Sequence, residues 1–200
     1  TKVQALGLFH LDVLIDGALF SESQRESLAA LEPPPLQSLL FEQTPEHASK
    51  ALGPVLVRLQ LDIETHAQWL KAFTQQSYKK AGALNLLSRW EFPELAAHLR
   101  DCTQAQWSKG ACTGILRYYD SRLFGTVSLM LDPSQRHYFH APVIEWLWLS
   151  RDGRVRTVAG LMLEARVDQL LQFLTLRQVA DCFPQVSPLL GRRRPAWEHL

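Results

Sequence analysis

The strongest constraint on the fold is an apolar run near the start of the chain, LFHLDVLIDGAL at residues 8–19. A short apolar stretch that ends in a turn signal is typical of a buried strand, and Asp16-Gly17 supplies that signal. Ser21 precedes Gln24 by three residues, the spacing of a capping box, which predicts a short helix to about residue 31. The chain therefore opens with a strand, a turn and a helix.

This alternation of strand and helix patterns continues to residue 158. Further strands are expected at residues 36–41, 55–59, 83–87, 114–119, 143–149 and 155–158, the last two joined by a hairpin at Asp152-Gly153. Further helices are expected at residues 63–73, from Pro93 to about residue 100, and after Asp132-Pro133. Strands that alternate with helices favour an α/β fold. Residues 1–158 are therefore predicted to form one domain, a mixed sheet flanked by helices.

The last forty residues differ from the rest. Apolar side chains repeat at helical spacing in residues 164–181, and Pro184 ends the pattern. Residues 159–200 are therefore predicted to form a small helical C-terminal lobe.

Composition narrows the classes of function. The chain has 200 residues, of which 46% are hydrophobic, and its formal net charge is +1. A charge so close to zero gives no global attraction to nucleic acid or to an anionic membrane, and no apolar run is long enough to cross a bilayer. Three widely spaced cysteines, Cys102, Cys112 and Cys182, fit neither a zinc site nor a disulfide scaffold. We expect reduced thiols and a cytoplasmic protein.

No common catalytic signature stands in the sequence. There is no Gly-x-Ser-x-Gly elbow, no His-Glu-x-x-His pair and no complete phosphate-binding loop. Asp12 and Asp16 lie four apart on a strand and would point to the same side. A hydrolase that used these carboxylates or His98 would need all three to converge in one cleft. We therefore expect no enzyme activity and no cofactor.

The densest polar cluster is RYYDSR at residues 117–122. Two guanidiniums and one carboxylate at a strand end can form a buried ion-pair network, because the planar fork of arginine suits a bidentate carboxylate partner. The favoured interpretation is that Arg117, Asp120 and Arg122 brace a strand-to-helix corner. Direct contact with a partner is the alternative, and catalysis is disfavoured because no activated nucleophile is nearby.

Five segments in this order resemble the domain-of-unknown-function 4123 family, the type VI secretion effector chaperones or adaptors. The resemblance covers about residues 13–152, and its segments are LIDGA at 14–18, LGPVLVRL at 52–59, LAAHLR at 95–100, RYYDSR at 117–122 and APVIEW at 141–146. The chain departs from the family pattern at Ser121, where a proline is common, at Val55, where a tryptophan is common, and at Ala81-Gly82, which replaces Trp-Gly.

The resemblance implies a binding protein without cofactor or catalytic residues. Its partners would be a cognate toxic effector and a VgrG or PAAR/Rhs-type spike component, with no nucleic acid and no membrane insertion. The residues implied as scaffold or partner-binding are Asp16, Arg58, Arg117, Tyr118, Tyr119, Asp120 and Arg122. An immunity-type protein that binds and neutralises a toxin is the alternative.

The C-terminal lobe carries no segment of the family pattern, which suits a surface that differs with each effector. Its apolar stripe must be buried against something. One possibility is packing on the sheet of the same chain, and the other is a groove that accepts an apolar effector helix. The effector-binding candidates are Val167, Leu170, Leu171, Phe173, Leu174 and Phe183.

Overall fold

The computed structural model describes residues 2–77, 82–107, 111–150 and 152–160. The predicted C-terminal lobe lies outside the described residues from position 161 onward. The first domain was expected to end at residue 158, and its last described strand ends one residue later, at Ala159.

Among the described residues, six strands form one sheet and two more form a separate hairpin. In chain order the strands are β1 (His10–Ile15), β2 (Leu36–Leu39), β3 (Val55–Gln60), β4 (Ala83–Ser88), β5 (Gln104–Trp107), β6 (Cys112–Ile115), β7 (Val143–Leu149) and β8 (Val155–Ala159). The order across the sheet is β2-β3-β1-β4-β7-β8, and β5 pairs with β6. The buried strand predicted from the first apolar run is β1, at the centre of the sheet.

The predicted α/β class, a sheet flanked by helices, is confirmed. The prediction of a mixed sheet implies parallel as well as antiparallel strand pairs. Every described strand pair is antiparallel. The strands β3 and β4, which the helix α3 (Glu64–Ser77) connects, run parallel to each other but are not neighbours in the sheet. The strand β1 lies between them and pairs with both in the opposite direction. Sequence patterns alone do not reveal such an insertion.

Helix boundaries follow the local rules of the sequence. The remaining helices are α1 (Lys2–Ala5), α2 (Glu22–Ala29), α4 (Phe92–Asp101), α5 (Phe124–Met130), α6 (Pro133–His140) and a short 3₁₀ helix (His47–Leu52). The predicted capping box of Ser21 with Gln24 is present, and a second reciprocal capping box, Asp132 with Gln135, begins α6. Among the described residues, no helix combines the length and the apolar character needed to cross a membrane.

A separate hydrophobic core lies on each face of the sheet. On one face, Val13, Ile15 and Val57 pack with Trp69 and other residues of α3. On the other face, the core is built from α4, the tyrosine segment after β6, α5, α6 and the inner side of β7; its members include Leu14, Leu56, Leu95, Tyr118, Phe124, Phe139 and Trp146. Residues of β1 alternate between the two cores, as the two-residue period of a strand requires.

The strand expected at residues 114–119 is shorter than predicted. It ends at Ile115, and residues 118–119 lie in a turn. Tyr118 is 0% exposed and Tyr119 is 4% exposed. Neighbouring strand residues point to opposite faces, so a strand at the edge of the fold could not bury both rings in one core. The turn allows it.

Candidate functional site: the motif corner

Three of the family-like segments meet at one end of the sheet, which we call the motif corner. It contains the end of β1 with Asp16-Gly17, the start of β3 with Gly53-Pro54, and the turn at residues 117–122. The first two segments are neighbours because Ile15 and Val55 are cross-strand partners. A Cβ atom on Gly17 would lie 2.0 Å from the carbonyl oxygen of Gly53. Glycine is therefore required at position 17 by this close backbone approach.

Asp16 joins the end of β1 to the turn that carries the tyrosines. Its carboxylate is almost fully buried, with 1% of the side chain exposed. One oxygen accepts a hydrogen bond from the backbone N–H of Ala18 at 3.1 Å, and the other accepts one from the Nη2 of Arg117 at 3.2 Å. Asp16 thus acts both as the turn residue expected from Asp-Gly and as half of a long-range ion pair.

Asp120 is the second buried carboxylate of the corner, with 2% of its side chain exposed. Arg122 binds it with both arms of the guanidinium, from Nε at 2.8 Å and from Nη2 at 2.6 Å. The backbone N–H of Arg122 adds a third hydrogen bond at 3.0 Å. The pKa of Asp120 is lowered, chiefly by the side-chain hydrogen bonds from Arg122. Asp120 therefore stays ionised.

The two arginines of the corner are much more exposed than their carboxylate partners. The side chains of Arg117 and Arg122 are 49% and 38% exposed. Arg117 also lies 3.8 Å from Asp120, so it stands between both carboxylates. The expected ion-pair network is present, but its cations face solvent while only its anions are buried. An acidic group of a partner could accept hydrogen bonds from these guanidiniums.

Tyr118 and Tyr119 anchor this turn in the core. The hydroxyl of Tyr118 donates to the carbonyl oxygen of Leu99 at 2.7 Å, and burial raises its pKa well above the ordinary value. The ring of Tyr119 makes an edge contact with Phe41, with 6.1 Å between centroids. Both tyrosines are scaffold residues in this geometry, and neither ring presents a contact surface.

Arg58 belongs to a different ion pair, at the middle of the sheet. It is the cross-strand partner of Asp12 and binds both oxygens of that carboxylate, at 2.7 and 2.8 Å. Arg58 is 6% exposed and Asp12 is 0% exposed. The guanidinium also donates to the carbonyl oxygen of Trp90 at 3.0 Å and lies over the ring of Phe92. This is a structural pair, because both side chains are buried and the hydrogen bonds of its Nε and Nη2 atoms are made within the protein.

The three residues considered for a hydrolase have separate partners. Asp12 is held by Arg58 and Asp16 by Arg117. The Nε2 of His98 lies 3.6 Å from the Sγ of Cys102. Burial lowers the pKa of His98. Within the described ranges, no group of three or more His, Cys, Asp and Glu side chains could hold a metal ion.

Arg25 is a corner residue that the sequence did not indicate. From α2 its Nη2 donates to the carbonyl oxygens of Gly17 at 2.7 Å and Ala51 at 2.9 Å. Its Nε donates to the carbonyl oxygen of Phe20 at 3.2 Å. An arginine in the first turn of a short polar helix has the pattern of a solvated side chain, so only the folded loops reveal this role. Arg25 ties the two glycine segments together.

The predicted effector-binding residues of the lobe lie outside the described residues, and their role stays a prediction. The list comprises Val167, Leu170, Leu171, Phe173, Leu174 and Phe183.

Comparison with known proteins agrees with the resemblance seen in the sequence. No curated protein and no solved structure shows significant similarity to the chain. A family model described as "Domain of unknown function (DUF4123)" matches residues 13–138, which is more than half of the chain. The match begins within β1, ends within α6, and includes the whole motif corner. The chain therefore belongs to the domain-of-unknown-function 4123 family.

Proposed function

We propose that this protein is a cytoplasmic type VI secretion adaptor, or chaperone, that binds a cognate toxic effector. It assists loading of that effector onto the VgrG or PAAR/Rhs-type spike and makes no covalent chemistry of its own. The observation that carries the proposal is the family match over residues 13–138. The adaptor role itself comes from the likeness of the five sequence segments to type VI secretion adaptors.

The geometry of the motif corner supports a binding role. Gly17, Arg25 and the two buried carboxylates build a rigid turn cluster, and the cluster holds Arg117 and Arg122 with their guanidiniums at the surface. Arginine is enriched at the centres of protein interfaces. A rigid base lowers the entropy lost when such side chains are fixed by a partner.

Co-expression with the products of the genes next to this one, taken as candidate effectors, tests the proposal. We expect this protein and its effector to elute as one complex from a size-exclusion column, and we expect the effector to be less soluble when expressed alone. An effector that elutes separately and is equally soluble without this chain would contradict the chaperone role.

A secretion assay separates the adaptor from an immunity-type protein. Deletion of this gene should stop export of the cognate effector while a second effector, carried by another spike, is still exported. An immunity protein would instead protect a target cell from the toxin and would be dispensable for export. Protection without a defect in export would replace the adaptor proposal with the immunity alternative.

A further inference from the structure

Four side chains surround His98 on α4, and together with His98 they form a surface that we call the α4 face. Its members are Trp90, Glu94, His98, Asp101 and Tyr138. Glu94 precedes His98 by four residues and Asp101 follows it by three, so both neighbour the imidazole on the helix surface. The rings of Trp90 and Tyr138 contact His98, with 5.5 and 4.6 Å between centroids. Because His98 is 7% exposed, the accessible part of the face is made by the two rings and the two carboxylates.

The two carboxylates of the α4 face have no partner within the described residues. Glu94 and Asp101 are exposed, and neither makes an ion pair or a side-chain hydrogen bond there. Glu94 lies in the first turn of α4, where the helix dipole favours a negative charge, but Asp101 is the last residue of the helix, where a negative charge is disfavoured. Local helix chemistry therefore accounts for Glu94 and not for Asp101. Such unbalanced positions are expected where a residue serves function rather than folding.

The cations near α4 are directed elsewhere or are already paired. The Nη2 of Arg100 lies 3.5 Å from a serine hydroxyl of β2, and Arg136 donates to backbone carbonyls at the C-terminal end of α5. Arg58 is bound by the carboxylate of Asp12. Burial lowers the pKa of His98, so the imidazole is neutral at neutral pH. The negative charge of the two exposed carboxylates is therefore not offset by a described cation.

An exposed aromatic ring stands beside the carboxylate at the end of α4. Tyr138 is 53% exposed. Burial raises the pKa of Tyr138 and the negative charge of Asp101 adds to this effect, which places the carboxylate near the phenol. A cation that pairs with such a carboxylate can also lie against the face of the ring, where the π electrons attract it. Arginine suits both contacts, because its planar group pairs with carboxylates and stacks on aromatic rings. The chemistry of the α4 face therefore favours cationic side chains.

From this arrangement, and resting on the proposed function, we infer that the α4 face is the docking site for a basic segment of the effector. One cation of that segment pairs with Asp101 and packs on the ring of Tyr138, and a second cation pairs with Glu94. The two carboxylates are seven residues apart, which is about 10 Å along the helix, so cations two helical turns apart on the partner can reach both. Charge complementarity selects a basic segment over an acidic one.

The first test is an NMR titration of the isotopically labelled full chain with two synthetic helical peptides. One peptide carries two arginines seven residues apart in an alanine-rich sequence, and the other carries glutamates at the same positions. The arginine peptide should shift the indole N–H signal of Trp90 and the ring signals of Tyr138, and the glutamate peptide should not. Shifts confined to other residues, or equal shifts with both peptides, would overturn the inference.

Removal of one charge tests the carboxylate that the fold does not require. Asp101→Asn should weaken binding of the arginine peptide by about two- to fivefold, as expected for one exposed ion pair. It should keep or raise the melting temperature, because it removes a negative charge from the C-terminus of a helix. Glu26→Gln is the matched control and should bind as the wild type does, because Glu26 is exposed on α2, which packs against the other face of the sheet. A lower melting temperature of Asp101→Asn with unchanged affinity would assign Asp101 to the fold and overturn the inference.

Two variants of Tyr138 separate a cation–π contact from apolar packing. Tyr138→Phe keeps the aromatic ring and should retain the affinity for the arginine peptide. Tyr138→Leu keeps an apolar side chain without a ring and should weaken binding by about two- to fivefold. Melting temperatures measured on the same preparations ensure that both variants are compared as folded proteins. Equal affinities of the two variants would exclude the ring from the docking site.

Isothermal titration calorimetry with the products of the neighbouring genes, taken as candidate effectors, distinguishes this inference from the proposed function. If no candidate effector binds the wild-type chain, the adaptor proposal fails and the inference falls with it, even if the arginine peptide binds. If one binds, the double variant Glu94→Gln with Asp101→Asn should weaken its binding by about tenfold, and Glu26→Gln should not. If that effector binds the double variant as tightly as the wild type, only the α4 face is excluded as the docking site.

Discussion

The ion pair between Asp12 and Arg58 permits a sharp test of what holds the sheet together. Asp12 is 0% exposed and Arg58 is 6% exposed, and the two are joined by a bidentate contact at 2.7 and 2.8 Å. Arg58→Met keeps much of the side-chain volume but leaves a buried carboxylate without its cation. Removal of one partner from a buried pair costs about 3–5 kcal/mol. We expect Arg58→Met to lower the free energy of unfolding by that amount.

The double variant Asp12→Leu with Arg58→Met is expected to recover most of this loss. Replacement of both charges by apolar side chains removes the cost of burying them, and such exchanges are often neutral or stabilising. One loss remains, because the carbonyl oxygen of Trp90 no longer receives its hydrogen bond from Arg58 at 3.0 Å. An unmade hydrogen bond of this kind costs about 1–3 kcal/mol. The double variant should therefore lie within about 3 kcal/mol of the wild type and above Arg58→Met.

Urea denaturation followed by tryptophan fluorescence measures these differences. For a chain of this size, a loss of about 4 kcal/mol corresponds to a decrease of about 8–16 °C in melting temperature. Lys50→Ala is the control, because Lys50 and Glu42 form an exposed pair, with side chains 39% and 50% exposed, worth less than about 1 kcal/mol. A loss below about 1 kcal/mol for Arg58→Met, or a double variant as unstable as the sum of the single variants, would refute the reasoning.

Three further predictions concern single groups. Burial raises the pKa of Cys102 to about 12, so iodoacetamide should modify the exposed Cys112 well before Cys102 in the native protein, as peptide mass spectrometry would show. Burial lowers the pKa of His140 from 6.5 to about 4. Between these pH values, His140 therefore takes up a proton in the unfolded chain but not in the folded chain. Stability should therefore fall as the pH decreases through this window, by up to about 1.4 kcal/mol per pH unit, and His140→Gln should lose this part of the dependence in urea melts. Gly17→Ala places a Cβ 2.0 Å from a backbone oxygen and should cost about 1–3 kcal/mol in the same assay, whereas Gly125→Ala, whose Cβ meets nothing closer than 3.6 Å, should be neutral or stabilising.

Local rules of the sequence located most of the elements. The capping box expected at Ser21 is present, and the helix expected after Asp132-Pro133 begins there. Both features depend on contacts within four residues. The hairpin at Asp152-Gly153 is also confirmed, with Gly153 at a φ of 72°. Such features depend on the chain within one turn, so a single sequence is enough to predict them.

Long-range features were harder to predict because they depend on strand order. The resemblance implies that Arg58 is a scaffold or partner-binding residue, but its partner Asp12 lies 46 residues away and becomes evident only from the register of β1 and β3. Asp12 had been considered instead as part of a hydrolase site. Arg25 gave no signal at all, because its acceptors are backbone carbonyls that only the folded loops bring together. Charge type and spacing do not encode such contacts.

The burial of the corner ion pairs was only partly predictable, and it leads to a final prediction. The sequence indicated a buried network at residues 117–122, and the structure buries its carboxylates but leaves Arg117 and Arg122 49% and 38% exposed. Arg122→Ala removes the bidentate partner of Asp120, whose side chain is 2% exposed, but Arg122 itself is partly exposed. We therefore expect a loss of about 1–3 kcal/mol, between the values for exposed and buried pairs. Arg117→Ala should cost less, because Arg117 donates one hydrogen bond to Asp16, at 3.2 Å, whereas Arg122 donates two from its side chain to Asp120.

These two variants decide whether the motif corner is a scaffold or an interface. Denaturant melts and effector titrations should be made on the same preparations, with Arg122→Lys as a control that keeps the charge but cannot reproduce the planar fork. If the corner is a scaffold, affinity should fall only in proportion to the loss of folded protein. Unchanged unfolding midpoints together with lost binding would show that the exposed guanidiniums contact the effector directly. Because the carboxylates beneath them are buried and fixed, such contacts would be made by arginines that are already oriented before the partner arrives.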